Sequence, residues 1–335
     1  MSNCKYLAKL MGAGALLLLP LLAAASDKDH CYLRDASAPT PSSAFLLCEQ
    51  GLVYATTDSG ATWTARDTAA SVTLHAISFS DENHGFVAGE GGTLLATGDG
   101  GKTWQARNTG STEHVLTIFT LGDRAWAGGF DGTILYSSDR GATWAKQKAG
   151  TTMALENIFF LDPDHGWAVG WSGTILRTAD GGKTWENVKT AAASWSLAAV
   201  HFNDLKNGWA VGFAGQLLRS GDGGATWVAQ KSPAQSWLTS VAADHSNRLW
   251  IAGDDQLLHS EDGGGTWHAI PVENMFVSRV FPLGGSLRAL GELGILKQGG
   301  STGLEWKRDE TLVPAGAHIA NSLEDAAKPT TGKLP

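Results

Sequence analysis

Six aspartates recur along the chain at a nearly constant interval, and carboxylates could act as general acids, nucleophiles or metal ligands. They are Asp58, Asp99, Asp139, Asp180, Asp222 and Asp262. Each stands in an eight-residue phrase of the form Ser/Thr-x-Asp-x-Gly-x-Thr-Trp. Because of this regular spacing each repeat holds one carboxylate, so no two of the carboxylates are placed to act on the same substrate. We therefore interpret the six as structural turn residues rather than catalytic groups.

The tryptophan that ends each phrase measures the repeat. Complete phrases end at Trp63, Trp104, Trp144, Trp185, Trp227 and Trp267, and a degenerate seventh keeps Gly303 and Trp306. Successive tryptophans are 41, 40, 41, 42, 40 and 39 residues apart. This period, with short β-type segments between turns, is typical of a four-stranded propeller blade. The sequence predicts an all-β fold, a single seven-bladed β-propeller with antiparallel blades.

The second repeat shows the strands most clearly, at residues 74–79, 85–89, 93–97 and 103–107. β-Branched and aromatic residues fill these segments, while Gly, Asp and Asn fill the turns. The turn after the first strand contains a His-Gly or Asn-Gly step, with Gly85, Gly166 and Gly208 in successive copies. We expect these glycines to supply a positive φ.

The first blade lacks an obvious inner strand, because Pro39 and Pro41 stand where it is expected and proline cannot donate to a ladder. Inner strands elsewhere are centred about 14 residues after a phrase tryptophan. The same count from Trp306 predicts that residues 318–322 close the ring, with residues 32–34 as the alternative. The predicted organisation is an N-terminal segment at 26–43, the propeller at 44–323 and a disordered tail at 324–335.

Residues 1–25 are typical of a secretory signal peptide. Lys5 and Lys9 precede an apolar run, and Ala23-Ala24-Ala25 provides a small-residue cleavage site. No other stretch is apolar enough to cross a bilayer, so we expect an exported protein of the periplasm or a thylakoid-lumen-like compartment, soluble after cleavage. Cleavage removes two lysines and no acid, which moves the formal charge from −8 to −10. This acidity argues against a nucleic-acid partner.

The cysteines and histidines indicate which covalent links and metal sites the chain could form. Cys31 and Cys48 remain after cleavage, and an exported pair predicts a disulfide that would contribute about 3 kcal/mol. The alternative is two free buried thiols. The 10 histidines are scattered without metal-ligand spacing, so no metal and no cofactor are expected.

Two longer segments carry a family resemblance. They are Asp-His-Gly-Trp-Ala-Val-Gly at 164–170 and Gly-Thr-Ile-Leu-Arg-Thr-Ala-Asp-Gly-Gly-Lys-Thr-Trp at 173–185. The recurring phrases are Asp boxes, or bacterial neuraminidase repeats, and residues 44–308 resemble the photosystem II stability and assembly factor family. The resemblance implies a non-enzymatic lumenal or periplasmic propeller that attends the assembly of a membrane complex by contacting a newly made subunit. We expect a monomer.

Two other functions stay open. A sialidase-like glycosidase shares Asp boxes, but it needs an arginine cluster and a Tyr nucleophile paired with Glu. Tyr32, Tyr54 and Tyr136 have no Glu partner in matched register, so the sequence favours a protein that is not an enzyme. The other alternative is a carbohydrate- or lipid-binding propeller of an envelope transport system.

Strand alternation predicts two distinct faces. The Asp boxes share one face with the His-Gly turns, and turns containing paired glycines share the other with the connections between blades. We expect a partner on the second face, because exposed aromatic residues on a rigid scaffold suit binding. The candidates are Phe130, Trp171 and Phe213 at turn tips, Trp195, Trp237 and Phe276 at strand starts, and the register-matched Arg177 and Arg219. Trp195 and Trp237 could instead pack between blades.

Overall fold

The computed structural model describes residues 31–312, apart from residues 49, 194, 245, 247, 292–293 and 300–302 and the side chains of residues 273 and 274. The predicted signal peptide at 1–25, the segment 318–322 and the tail at 324–335 lie outside this range. Within it, no helix has the length and apolar character needed to cross a membrane.

The described residues form seven four-stranded antiparallel blades, which confirms the predicted all-β propeller. Blades 1 and 2 comprise β1 Leu33–Ser37, β2 Ala44–Cys48, β3 Leu52–Thr56, β4 Thr64–Asp67, β5 Leu74–Phe79, β6 Gly85–Gly89, β7 Leu94–Thr97 and β8 Gln105–Ala106. Blades 3 and 4 comprise β9 Val115–Leu121, β10 Arg124–Gly129, β11 Thr133–Ser137, β12 Ala145–Lys148, β13 Leu155–Phe160, β14 Gly166–Gly170, β15 Ile175–Thr178 and β16 Glu186–Asn187. Blade 5 comprises β17 Leu197–Phe202, β18 Gly208–Gly212, β19 Leu217–Ser220 and β20 Val228–Ala229.

Blades 6 and 7 contain two long strands and form one six-stranded sheet. Their strands are β21 Leu238–Ala243, β22 Leu249–Ser260, β23 His268–Leu283, β24 Ser286–Gly291, β25 Gly294–Gly299 and β26 Glu305–Arg308. β22 supplies the second and third strands of blade 6, since its first half pairs with β21 and its second half with β23. β23 then continues into blade 7 as the inner strand, which pairs with β24.

Aromatic stacks hold neighbouring blades together. Trp167 of β14 stacks on Phe202 of the next inner strand at 3.6 Å between ring centroids. Phe202 in turn meets the edge of Trp227, the tryptophan that ends the blade 5 Asp box, at 5.8 Å. Trp126, Phe160 and Trp185 repeat this arrangement one blade earlier. The Asp-box tryptophan therefore covers a phenylalanine at the interface between blades, where edge-to-face contact is favourable.

The glycine of the His-Gly turn has a different role from the one predicted. Gly85, Gly166 and Gly208 are not among the described residues with positive φ. Instead, a Cβ on Gly166 would collide with the ring of Phe160, and the other two glycines lie against Phe79 and Phe202 in the same way. Glycine is required at this turn because the phenylalanine ring occupies the space of a side chain.

The inner strand of blade 1 comes from the N-terminal side. β1 pairs with β2, with Leu33 opposite Cys48, which agrees with the predicted alternative at residues 32–34 rather than with residues 318–322. The propeller thus begins at Leu33 rather than at residue 44. The prolines lie after β1, in the loop that leads to β2, so they interrupt no ladder. A disulfide joins Cys31 to Cys48, whose Cα atoms are 5.2 Å apart, and ties this first strand to the second.

The ring closes through a polar link between the last blade and the first two. Arg279 of blade 7 donates from Nη1 to Asp35 Oδ1 of β1 at 2.7 Å. The other carboxylate oxygen, Asp35 Oδ2, accepts the backbone N–H of Ile77 in blade 2 at 2.9 Å. Asp35 therefore connects three blades at the inner wall.

Candidate partner-binding face

The Asp boxes lie on the rim and their carboxylates are engaged within each turn. Asp139 Oδ1 accepts the Ser137 hydroxyl at 2.8 Å and the Thr143 N–H at 2.9 Å, while Oδ2 accepts the Thr143 hydroxyl at 2.6 Å. These hydrogen bonds, led by that of the Thr143 side chain, lower the pKa of Asp139 to about 2. Thr62 and Thr103 act in the same way on Asp58 and Asp99, whose pKa values also fall to about 2. The carboxylates therefore stabilise turns.

The opposite face is formed by the paired-glycine turns and the connections between blades, as predicted. In blades 2 to 5 each turn is one short 3-10 segment, at Glu90–Gly92, Phe130–Gly132, Trp171–Gly173 and Phe213–Gly215. We call this surface the paired-glycine face.

Two contacts hold each of these turns rigidly. The N–H of Trp171 donates to the carbonyl of Ala154 at 2.9 Å, and the other turns repeat this bond. The last residue of the turn has positive φ, and a Cβ on Gly132 would collide with the carbonyl oxygen of Thr151 in the connection to the next blade. Glycine alone fits there, and it fixes the turn against its neighbour.

Aromatic side chains cover the paired-glycine face in pairs. Phe130 lies 5.6 Å from Trp171 between ring centroids, and Trp195 lies 5.7 Å from Phe213. The third pair, Trp237 and Phe276, is 5.8 Å apart. Trp195 and Trp237 remain 53% and 45% exposed, so they are not buried between blades. Trp171 and Phe213 are 46% and 50% exposed, whereas Phe130 and Phe276 are part-buried.

Exposed apolar side chains are concentrated here. Among the residues that the structure describes, eight large hydrophobic side chains are exposed. Six belong to the paired-glycine face, namely Tyr32, Met153, Trp171, Trp195, Phe213 and Trp237. The other two are Leu205, in a turn of the Asp-box face, and Val228, on an outer strand. An apolar surface concentrated on one side of a propeller is typical of an interaction site.

A central cavity of about 790 Å³ lies inside the ring of inner strands and reaches Trp237 and Phe276 of the paired-glycine face. Its wall carries charged groups as well as apolar ones. Glu156, which lines the cavity, accepts a hydrogen bond from the indole N–H of Trp171. Arg279 is held by Asp35.

His201 lies in the cavity wall with its ring 5.0 Å from that of Phe159. Burial lowers the pKa of His201 to about 4, against the opposing effect of its 2.9 Å hydrogen bond between Nε2 and Asn203 Oδ1. The imidazole is therefore neutral near pH 7 and contributes no charge to the cavity.

Comparison with known proteins places this arrangement in a family. A family model described as "Photosynthesis system II assembly factor YCF48" matches residues 67–153, 147–196 and 188–279. The chain belongs to this YCF48 assembly-factor family. A search of curated proteins found no match.

Solved structures show the same fold. "YCF48 bound to D1 peptide" superposes with a TM-score of 0.66 at 22% identity, covering 80% of this chain and 91% of that one. YCF48 from Cyanidioschyzon merolae gives 0.65 at 20% identity, with 78% and 94% coverage. The WD40 propeller domain of Doa1 gives 0.68 at 10% identity, with 82% and 94% coverage.

The two arginines predicted to help bind a partner lie elsewhere. Arg177 is on β15, the third strand of its blade, and pairs with Glu186 of the adjacent outer strand at 2.7 Å. Arg219 is on β19, with its guanidinium 5.9 Å from the centre of the Trp209 ring. Their matched register reflects the repeat, and neither side chain belongs to the paired-glycine turns.

One group of polar residues on the paired-glycine face was missed from the sequence. His75, Glu90 and His114 place one potential ligand atom each within 4.8 Å of one another. His75 and Glu90 come from blade 2, and His114 comes from the connection into blade 3. A sequence signal did exist: the two histidines are almost one repeat apart and flank equivalent strand starts.

Proposed function

We propose that this family member is a non-enzymatic, exported assembly factor that captures a segment of a newly made membrane-protein subunit on the paired-glycine face. The observation that carries the proposal is the concentration of exposed aromatic side chains on that face, described above. Membership of the YCF48 family supports the assembly role. One relative is described as bound to a D1 peptide, which supports a peptide as the captured species.

The geometry suits an apolar peptide. Aromatic rings contribute large contact area with few torsions to order, so they bind with a small entropy cost. The turns that hold Trp171 and Phe213 are fixed by backbone hydrogen bonds before a partner arrives. Preorganisation of this kind reduces the ordering cost of association. The cavity beneath can receive a side chain that projects from the bound segment.

The absence of enzymatic activity is part of the proposal. Each complete Asp box uses its carboxylate in the turn, as Asp139 does. The cavity lining contains two arginines, Arg34 and Arg279, and the second is paired with Asp35. A sialidase-like site needs a set of arginines free to bind a substrate carboxylate. These contacts favour a scaffold.

The test is recovery of a membrane subunit with the tagged protein. Wild type and the double variant Trp171→Ser/Phe213→Ser are expressed in the host, and solubilised membranes are passed over the tag. We expect the double variant to recover at least about tenfold less of the integral-membrane subunit, because the variant lacks two side chains that anchor the interface. Its free energy of unfolding should change by less than about 1 kcal/mol, because both side chains are exposed.

The matched control is Leu205→Ser/Val228→Ser, which removes two exposed hydrophobic side chains away from the face. This control should recover the subunit like wild type. Equal recovery by both double variants would contradict the proposal. Retention of the wild type on a glycan matrix, with no membrane subunit recovered, would favour the carbohydrate-binding alternative instead.

A further inference from the structure

We propose that His75, Glu90 and His114 form a binding site for a divalent transition-metal ion of the Zn²⁺ class at the border between blades 2 and 3. One ligand atom from each residue lies within 4.8 Å of the others. Two imidazoles and one carboxylate form a ligand set that Zn²⁺ accepts, with a fourth position left for water. Mg²⁺ and Ca²⁺ prefer oxygen ligands, so the two histidines argue against those ions.

Backbone hydrogen bonds fix the chain at two of the three ligands, Glu90 and His114. The N–H of Glu90 donates to the Thr73 carbonyl at 3.0 Å, and the Glu90 carbonyl accepts the Thr93 N–H at 3.0 Å. The carbonyl of His114 accepts the Phe130 N–H at 3.0 Å. A bound ion at metal–ligand distances of about 2.0–2.2 Å would draw the three ligand atoms closer together.

The His114 ring is also restrained, because it lies 5.2 Å from the ring of Phe130. All three candidate ligands are part-buried, so an ion can reach them from the paired-glycine face. His75 belongs to the inner strand β5, which packs in the ring wall. The ligands are therefore restrained by their neighbours and are still accessible to an ion from solvent, as a metal site requires.

Other described histidines have different surroundings. His84 and His165 each lie about 3 Å from an aspartate of their own turn. His259 and His268 face each other at 5.4 Å between ring centroids. Among blades 2 to 5, only blade 2 carries a glutamate at the tip of the paired-glycine turn; the tips of blades 3 to 5 carry Phe130, Trp171 and Phe213. The meeting of His75, Glu90 and His114 thus depends on a glutamate at a turn position where blades 3 to 5 carry an aromatic residue.

Such an ion would link two blades beside the aromatic surface. Two ligands come from blade 2 and one from the connection into blade 3, and His114 touches Phe130 of the first aromatic pair. Because the folded protein gathers ligands that are far apart in the unfolded chain, binding would stabilise the ring. The fourth coordination position would face the surface proposed to bind a partner.

The experiment titrates chelator-treated, full-length mature protein carrying a tag without histidine. Zn²⁺ binding is measured by calorimetry, and Co²⁺ substitution is followed by its visible absorption. We expect one equivalent of Zn²⁺ and a Co²⁺ spectrum typical of four- or five-coordination. His75→Asn/His114→Asn and, separately, Glu90→Gln should weaken Zn²⁺ binding by at least about tenfold, since each removes ligands.

The matched control is His84→Asn/His165→Asn, which removes two histidines from the opposite face. It should bind Zn²⁺ like wild type. Thermal unfolding of each metal-free variant shows whether it is folded, and Glu90→Gln keeps the test valid if the double histidine variant unfolds. The proposal is overturned if wild type binds no Zn²⁺ at micromolar concentration, or if the ligand variants bind it as tightly as the control.

Discussion

At the scale of single residues, identical side-chain types perform different tasks because their surroundings differ. The Asp-box carboxylates are of a residue type that can catalyse reactions, but they accept hydrogen bonds from their own turns, which keeps the pKa of Asp139 near 2. His201 also looks like a candidate acid or base. Its enclosed position lowers its pKa to about 4, so it lines the cavity as a neutral group.

His201 should make the protein less stable in mild acid. Its pKa is about 4 in the folded protein against an ordinary histidine value of 6.5, so the unfolded chain binds the proton more readily between these values. Stability is therefore full above pH 6.5 and is lost as the pH falls toward 4, by about 3 kcal/mol in total. Chemical denaturation between pH 8 and 4 measures this loss.

The His201→Gln variant provides the comparison. The difference in unfolding free energy between wild type and variant should change across this pH window, because the variant has no proton to gain at that position. A difference that stays constant from pH 8 to pH 4 would show that His201 does not control the acid response.

At the scale of strands and turns, the sequence was most informative. Strands β5 and β6 begin and end where the alternation and turn residues predicted. Local rules succeed here because each blade repeats the same hydrogen-bonded hairpins. The same rules predicted the wrong role for Gly166. The ring of Phe160 excludes a side chain at this position, and the two residues meet only in the packed hairpin.

Gly166→Ala should destabilise the protein by about 1–3 kcal/mol, because the added methyl group must displace the ring of Phe160 at a blade interface. Gly221→Ala is the matched control, since nothing lies within 4 Å of its Cβ position and its φ is not positive. Urea unfolding of both variants measures the difference. Equal stability would mean that the turn accepts a side chain and that our account of this glycine is wrong.

At the scale of the whole molecule, the sequence predicted the number of blades and the two faces but not the contacts between blades. For the inner strand of blade 1 the sequence left residues 318–322 and residues 32–34 as alternatives, because Pro39 and Pro41 closely follow β1 and hide its pattern. His75 and His114 were counted as scattered, since their meeting point with Glu90 exists only when blades 2 and 3 are side by side. Arg177 and Arg219 occupy the same register on neighbouring blades, but their side chains contact different partners and do not form one site.

Ring closure gives a prediction at this scale. Asp35→Ala should lower the free energy of unfolding by about 1–3 kcal/mol, because it leaves Arg279 and the Ile77 N–H without their carboxylate partner. Asp35→Asn keeps an acceptor for the N–H and should lose less. Denaturation of the two variants beside wild type provides the measurement, and the account of closure fails if alanine costs no more than asparagine.

The central claim is that the paired-glycine face contacts a membrane-protein subunit during assembly. Site-specific photo-crosslinking in the host tests it most directly, with the crosslinker placed at Phe213 or, as a control, at Leu205 on the opposite face. Newly made proteins are pulse-labelled, and crosslinked products are identified by mass spectrometry. We predict a labelled integral-membrane subunit crosslinked from Phe213 and not from Leu205. Crosslinks from Leu205 alone, or from neither position, would contradict the account.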